Sequence, residues 1–422
     1  LYDKPAVCNA LGYQVQTVTR LIDMRRLRRR GPVIVANTAN SLIVPFFGVF
    51  VSLLVVRLAS VELWGAFVDV MIIVQLAAHV IGWGNKEYLL RAFSFNPADL
   101  AQQWQTSLVT RLALFVPVVA LFGLLGYPAF QWALAVIWCL GQVLYQSNDV
   151  LILYRKDFVY SIVVELASIG LLIAAVAWHG PRLTVDSLIA WFALTTWLKA
   201  GAFFLRFRSH TMQRWVGRFY PQFFRLALLF FLLGFSGLLQ SRVDLYAVNY
   251  YLPNTQVGQY QVFINLLLYL QAVSAFVLMP FAKTIYRLGY NTIARLSMRL
   301  LALGVVIVVP GLVGIYVILV FLYHFPVTPA LMVLGGLMVL PVYCYLPIVY
   351  GFYKANRQIV VLEINVLGIV ASLGLNILLL PRIGMVGAIA ASAAAQWLML
   401  ALYLVWGKTL RDRYALLVPE LS

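Results

Sequence analysis

Apolar stretches of about twenty residues recur from one end of this 422-residue chain to the other. An α-helix needs about 20 apolar residues to cross the hydrocarbon core of a bilayer. Hydrophobic residues make up 63% of the chain and charged residues 11%, against about half and about a quarter in ordinary globular domains. Because a single water-facing domain cannot bury so much apolar surface, the pattern predicts an all-α polytopic membrane protein. It excludes a soluble enzyme and a nucleic-acid-binding protein.

Windows of about 19 residues place the apolar stretches in twelve transmembrane helices. Their predicted limits are 32–58, 65–85, 104–126, 130–154, 158–178, 185–205, 221–252, 257–281, 298–323, 329–352, 359–380 and 384–407. All connections between them are short. The predicted units are therefore a basic N-terminal segment, a six-helix lobe, a linker, a second six-helix lobe and a tail, at 1–31, 32–206, 207–220, 221–407 and 408–422.

Lys and Arg residues are distributed very unevenly between the two ends of these helices. Of the 31, the N-terminal segment, the even-numbered connections and the tail hold 24, and four lie within spans. Only three, Arg57, Arg182 and Arg382, fall on the other side. Basic residues are retained on the cytoplasmic side of membrane proteins, so both termini are predicted to be cytoplasmic. The three cysteines (Cys8, Cys139 and Cys344) are scattered and have no metal-ligand spacing.

Two segments of the first six helices recur in the second six. The turn from Ser60 to Phe67, which contains Gly65, recurs 193 residues later as Pro253 to Tyr260, which contains Gly258. The span that carries Glu165 and Gly170 recurs 198 residues later as the span with Glu363 and Gly368. Six helices return the chain to the side where it began, so the pattern predicts two parallel lobes related by an axis along the membrane normal. A cleft between such lobes is a usual place for a transporter's binding site.

Four segments, in order along the chain, resemble motifs of the polysaccharide-biosynthesis flippases, which belong to the multidrug/oligosaccharidyl-lipid/polysaccharide exporter superfamily. They are Arg57–Gly65, Gly82–Arg91, Ser241-Arg242-Val-Asp244 with Gly258-Gln-Tyr260, and Leu380-Pro381-Arg382-Ile-Gly384. The similarity runs from about residue 31 to residue 407. Lipid II flippases of the same superfamily typically have more spans than the twelve predicted here.

The resemblance implies a multi-pass protein of the bacterial cytoplasmic (inner) membrane and not an enzyme. It implies a flippase that moves undecaprenyl-pyrophosphate-linked oligosaccharides to the outer leaflet by alternating access, for O-antigen or exopolysaccharide assembly. Its expected partners are this lipid-linked glycan, membrane lipids, and a polysaccharide polymerase with its chain-length machinery, without nucleic acid. No cofactor is expected, and H⁺ and Na⁺ are the candidate coupling ions.

Basic and amide side chains within the spans are the candidate substrate-binding residues. Arg242 is the strongest, because it lies ten residues before Leu252 at the outer end, about 15 Å deep, and guanidinium matches phosphate oxygens bidentately. Arg111 and Lys199 lie about two turns inside their spans, where snorkelling towards the cytoplasm is an alternative role. The further candidates are Arg57, Lys86, Arg91, Lys283, Asn37, Asn40 and Gln271.

Five carboxylates within or near the ends of spans are candidates for ion coupling, because protonation there can be linked to a transport step. They are Asp69, Asp149, Asp244, Glu165 and Glu363. The main alternative function is a multidrug or cation exporter of the same superfamily, which composition alone does not exclude. A membrane glycosyltransferase or polysaccharide polymerase is less favoured, since no predicted outer connection is long.

Overall fold

The computed structural model describes residues 43, 47–212, 214–278, 285–286 and 288–417. Within these residues every regular element is a helix. The α-helices are α1 Phe47–Leu58, α2 Val61–Gly82, α3 Asn85–Phe95, α4 Leu100–Leu112, α5 Phe115–Gly123, α6 Ala129–Arg155, α7 Phe158–His179, α8 Val185–Thr211, α9 Gln222–Tyr251, α10 Asn254–Leu278, α11 Tyr290–Val317, α12 Pro329–Lys354, α13 Gln358–Ile383 and α14 Met385–Leu417. Helix α11 continues as a π-helix over Ile318–Tyr323.

Eleven helical segments of the described residues are long and apolar enough to cross a membrane. They coincide one to one with the second to twelfth predicted spans, so the chain is a multi-pass membrane protein. Of the predicted first span, 32–58, residues 47–58 form the apolar helix α1. Most of the remainder of that span, the segment 1–31 and residues 418–422 lie outside the described residues.

Several predicted ends are wrong because local backbone geometry overrides hydropathy. Helix α2 ends at Gly82, where Trp83 and Gly84 both have positive φ (42° and 63°), and the chain restarts as α3. The predicted third span is two helices, α4 and α5, separated at Ala113 and Leu114. Helices α8 and α14 extend well beyond their predicted limits of 205 and 407, so the linker between the two sequence halves begins at residue 212.

The same contacts occur twice, 200 residues apart. Trp197 of α8 donates its indole N–H to the carbonyl of Ile137 in α6 at 2.9 Å, and Trp397 of α14 donates to Leu337 in α12 at the same distance. A left-handed residue also follows α6 and α12 at equivalent places, Lys156 at φ 59° and Asn356 at φ 54°. The repeat inferred from sequence therefore has a register of 200 in this region. The predicted pairing of Glu165 with Glu363 at 198 is wrong by two residues, since this register aligns Glu165 with Asn365.

The predicted turn glycines meet where α2 crosses α10, at the predicted outer end of the bundle. A Cβ on Gly65 would lie 1.8 Å from the backbone oxygen of Asn254, and a Cβ on Gly258 would lie 2.6 Å from that of Val61. The two contacts are equivalent under the 193-residue repeat, because Gly65 corresponds to Gly258 and Val61 corresponds to Asn254. Only glycine permits such a close approach of two backbones. The two sequence halves are therefore in direct backbone contact at this end.

A second contact joins the two sequence halves at the predicted inner end. The Trp83 ring stacks on Phe231 of α9 with centroids 4.1 Å apart and planes 6° apart. Its indole N–H donates to the carbonyl of Phe224 at 2.9 Å. Gly84 lies so close to α9 that a Cβ on it would be 2.6 Å from the backbone nitrogen of Phe231. The halves are thus packed together near both ends, with the space between these contacts left for a site.

Candidate functional site

The central cavity lies between these two contacts and has a volume of about 380 Å³. Its walls come from α1, α2, α7, α8, α9 and α10, so both halves of the sequence contribute. Its charged lining residues are Arg242, Lys199 and Glu165. Three residues predicted from sequence, on three different helices, therefore share one cavity.

Arg242 projects from α9 into the central cavity. One guanidinium nitrogen donates to the side-chain oxygen of Asn265 at 2.7 Å, and no ion pair to Arg242 is found among the described residues. Asp244, two positions along the same helix, is directed elsewhere and is bound by Tyr260 and Ser392. Arg242 and Asp244 therefore do not pair directly, and among the described residues Asn265 leaves further Arg242 donors for a ligand.

Lys199 and Glu165 form an ion pair in the opposite wall, with a nitrogen–oxygen distance of 3.3 Å. The Lys199 ammonium also lies 4.6 Å from the centroid of the Tyr145 ring, and the Tyr145 hydroxyl donates to the other oxygen of Glu165. Glu165 is 2% exposed. This arrangement holds Lys199 in the cavity wall. Together with Arg242, the charged groups among the described lining residues sum to one net positive charge.

Amide and aromatic groups complete the lining of the central cavity. Gln261, Asn265 and Tyr269 follow one another at four-residue spacing along α10 and all face it, and Gln261 accepts the indole N–H of Trp64 at 2.9 Å. The predicted residue Gln271 is on another face of α10 and does not line the cavity. The amides of this helix that line the cavity are Gln261 and Asn265, which share the i, i+4, i+8 stripe with Tyr269.

A second cavity, the inner chamber, has a volume of about 240 Å³ and lies nearer the predicted cytoplasmic end. It is lined by His79, Gly82, Gly84, Asn85, Lys86, Glu87, Arg111, Gln146 and Asp149. Lys86 and Asp149 form an ion pair at 2.6 Å. Arg111 is 1% exposed, so the alternative that it snorkels is wrong. The structure thus groups Lys86, Asp149 and Arg111 away from Arg242.

The remaining predicted carboxylates occupy three different environments. Asp244 is 2% exposed and accepts hydrogen bonds from Tyr260 at 2.6 Å, from Ser392 at 2.9 Å and from its neighbouring backbone N–H. Asp69 joins the two sequence halves, accepting from Tyr127 at 2.8 Å and from Asn249 at 2.6 Å. Glu363 is exposed on α13. Asp244 and Asp69 therefore lie in polar settings between helices, as Glu165 does, whereas Glu363 does not.

The other predicted basic and amide residues lie away from both cavities or outside the described residues. Arg57 donates to the carbonyls of Leu322 and Phe321 at 2.5 and 3.2 Å, near the end of the π-helix. Arg91 is exposed and lies 5.8 Å from the centroid of Phe95. The predicted residues Asn37, Asn40 and Lys283 lie outside the described residues.

Comparison with known proteins gives similarity in structure alone. No family model matches the sequence, and no curated protein matches it. Among solved structures, it is similar to the lipid II flippase MurJ in an inward closed conformation, with a TM-score of 0.69, 14% identity, and 88% of this chain and 87% of that chain covered. It is also similar to an inward-facing multidrug resistance MATE transporter of the MOP superfamily, with a TM-score of 0.63, 12% identity, and 90% and 98% coverage. The chain has the MOP-superfamily fold.

These similarities show the fold of the chain, and membership of the superfamily that the sequence motifs indicated stays a prediction. A third similar structure is the MATE multidrug transporter DinF-BH, with a TM-score of 0.61, 13% identity, and 89% and 94% coverage. Flippases and multidrug transporters therefore share this MOP fold. Resemblance to the polysaccharide flippases within it remains a prediction from the motifs.

Asp244 offers a test of the packing between α9, α10 and α14 in this MOP fold. Replacing Asp244 with alanine removes the acceptor of the Tyr260 and Ser392 hydroxyls, and an unsatisfied buried group costs about 1–3 kcal/mol. We expect Asp244→Ala to lower the melting temperature of the purified protein in detergent clearly. Glu62→Gln, at an exposed position of α2, serves as the control and should leave it within error. Equal melting temperatures for the two variants would contradict the assigned role of Asp244.

Proposed function

We propose that this protein is a flippase for undecaprenyl-pyrophosphate-linked oligosaccharides and serves the assembly of O-antigen or exopolysaccharide in a bacterial inner membrane. The observation that carries the proposal is that Arg242 and Lys199, from opposite sequence halves, face one cavity lined with amides and aromatic rings. The motif resemblance agrees with it. A lipid II flippase is also among the solved structures that share the fold.

The lining of the central cavity suits a sugar that carries a phosphate. Each sugar hydroxyl that enters hydrocarbon without a partner costs a few kcal/mol, and the side chains of Gln75, Gln261 and Thr196 can replace water as partners. The rings of Trp64 and Tyr269 offer apolar faces for the sugar. Arg242 has donors free for phosphate oxygens, whereas Lys199 must first loosen its ion pair with Glu165.

The cavity in this conformation is too small for several sugars. A volume of about 380 Å³ is equivalent to roughly a dozen water molecules at about 30 Å³ each. It is bounded by the Gly65–Asn254 contact and by the Trp83–Phe231 stack. Transport by two rocking six-helix lobes would open one of these contacts at a time. We therefore assign this conformation to a closed state between inward and outward opening, with Lys86 and Arg91 at the end where the substrate arrives.

Transport energy is available from two sources. An inside-negative potential favours outward movement of phosphate charges by about 2.3 kcal/mol per charge per 100 mV. Binding of H⁺ or Na⁺ at Asp244 or Asp69 is the second, because both carboxylates lie where helices of different segments meet. The polysaccharide polymerase and its chain-length machinery, as partners, would consume the product on the outer side and so keep transport in one direction.

One observation favours the alternative, a multidrug or cation exporter. Glu165 places a buried carboxylate in the cavity wall, and the cavity volume falls in the range of pockets for drug-sized molecules, about 300–1,000 Å³. Two of the similar structures are multidrug transporters. A cationic drug would have to displace Lys199 from Glu165, and it would face Arg242.

Deletion of the gene in its host separates the two functions. The proposal expects loss of surface polysaccharide, with lipid-linked units accumulating in the inner leaflet, and recovery on re-expression of the wild-type chain. The exporter alternative expects unchanged polysaccharide and new sensitivity to cationic drugs. That second pattern would overturn the proposal.

A further inference from the structure

We propose that the inner chamber is a separate phosphate-binding station, built on Arg111 and Lys86, that the pyrophosphate of the substrate occupies before it reaches the central cavity. The natural ligand in this inference rests on the proposed function. The geometry of the inner chamber supports recognition of a phosphate oxyanion by a buried guanidinium, independently of that function.

Arg111 is a buried charge whose partners are all neutral. Its Nε donates to the Ser107 hydroxyl at 3.2 Å and one terminal nitrogen donates to the Ser147 hydroxyl at 2.8 Å. The other terminal nitrogen, Nη1, is buried and has no partner among the described residues. A buried charge is costly unless it is paired. An unpaired guanidinium nitrogen on a residue that lines a cavity is therefore arranged for a ligand with oxygen acceptors.

The carboxylates of the inner chamber do not neutralise Arg111. Asp149 is bound by Lys86 at 2.6 Å, and Glu87 is exposed at the rim. No Asp or Glu of the described residues forms an ion pair with Arg111. An incoming anion would thus be the first negative partner of this guanidinium.

Lys86 is placed to join Arg111 when an anion arrives. Its side chain is 46% exposed and that of Asp149 is 29% exposed. An ion pair this open to solvent contributes little to stability, so it can exchange partners at small cost. Two cations and the Gln146 amide would then surround one anion. Phosphate fits them best, because it accepts several hydrogen bonds at once and pairs bidentately with guanidinium.

The inner chamber adjoins the central cavity along two helices. On α2, Gln75 lines the central cavity and His79, one turn later, lines the inner chamber. On α6, Tyr145 contacts Glu165 of the central cavity, whereas the next residue, Gln146, lines the inner chamber. A phosphate moving outward from Arg111 would therefore meet Lys199 and then Arg242.

Cysteine protection tests the inner chamber directly. We would purify the full chain with Glu87→Cys, at an exposed lining position of the inner chamber, in lipid nanodiscs and follow modification of this thiol by a small maleimide, with the unsubstituted chain as background. Inorganic pyrophosphate is expected to slow the modification. Arg111→Gln should raise the pyrophosphate concentration needed by at least tenfold, and Lys86→Gln by about threefold. The matched control Arg206→Gln, which removes an exposed arginine paired with Asp157, should leave it unchanged.

Further variants and ligands test which ligand binds in the inner chamber and whether it binds there independently of the central cavity. Arg242→Gln should leave the protection by inorganic pyrophosphate intact, because Arg242 lines only the central cavity. A short-chain polyprenyl pyrophosphate should protect at lower concentration than inorganic pyrophosphate or phosphate if the natural ligand is a lipid headgroup. Equal protection by all three would assign the site to a free anion.

Absence of protection, or protection that persists unchanged in Arg111→Gln, would overturn the inference. If Arg111→Gln fails to fold, Arg111→Lys and Lys86→Gln decide the same question. Protection together with normal surface polysaccharide in the gene deletion would leave the phosphate site standing and remove the proposed function. The two failures are thus distinguishable.

Discussion

Replacing Arg242 with glutamine is expected to reduce recovery of surface polysaccharide in the deletion strain to below about a tenth of the wild-type level. The change removes the guanidinium that faces the central cavity, together with its hydrogen bond to the Asn265 side-chain oxygen. A hydrogen bond to a charged group is worth about 1.5–3 kcal/mol, and every 1.4 kcal/mol is about tenfold in binding. The loss therefore corresponds to a roughly 10- to 150-fold lower affinity for phosphate. The measurement is polysaccharide on the cell surface at matched protein level.

Two further substitutions serve as controls for the Arg242→Gln result. Arg242→Lys keeps the charge without the planar fork and should restore an intermediate level. Arg206→Gln removes an arginine that is 52% exposed and lines neither cavity, so it should restore polysaccharide fully. Full recovery with Arg242→Gln would remove the central cavity from the transport route.

Replacing Gly65 with alanine should be the most destabilising glycine-to-alanine substitution among the described residues. The added Cβ would lie 1.8 Å from the backbone oxygen of Asn254, so α2 and α10 would have to separate. Overpacking of a well-packed interior costs about 1–3 kcal/mol. We expect the upper end of that range, because the atom in the way is backbone and not a flexible side chain. Thermal unfolding of the purified protein in detergent measures the loss.

The control for Gly65 is Gly374→Ala, in the interior of α13, where a Cβ would meet nothing within 4 Å. Alanine favours a helix over glycine by about 1 kcal/mol, so this variant should be as stable as the wild type or more so. Gly258→Ala should resemble Gly65→Ala with a smaller loss, because its Cβ would be 2.6 Å from Val61. A Gly65→Ala protein as stable as Gly374→Ala would contradict the close crossing of α2 and α10.

The sequence by itself predicted the membrane helices and the repeat of their turns. Hydropathy is a local property of about twenty residues, so the second to twelfth spans could be placed without tertiary contacts. The repeat followed because Gly65 and Gly258 recur within similar turns. The left-handed backbone of Trp83 and Gly84 was not predicted, and it ends α2 before its predicted limit.

The tertiary structure alone decided which polar side chains share a site. In a membrane, lipid and protein interior are about equally apolar, so hydropathy does not reveal which face of a helix is turned towards a cavity. Sequence analysis therefore placed Arg242 and Lys199, which line the central cavity, among its candidates together with Gln271, which does not line it, and it left a snorkelling role open for Arg111. Whether a buried cation is paired depends on neighbours distant in the chain. Lys199 pairs with Glu165 on α7, whereas the partners of Arg111 among the described residues are two serine hydroxyls. The packing of helices against one another determines which cation is paired, and no single helix encodes that packing.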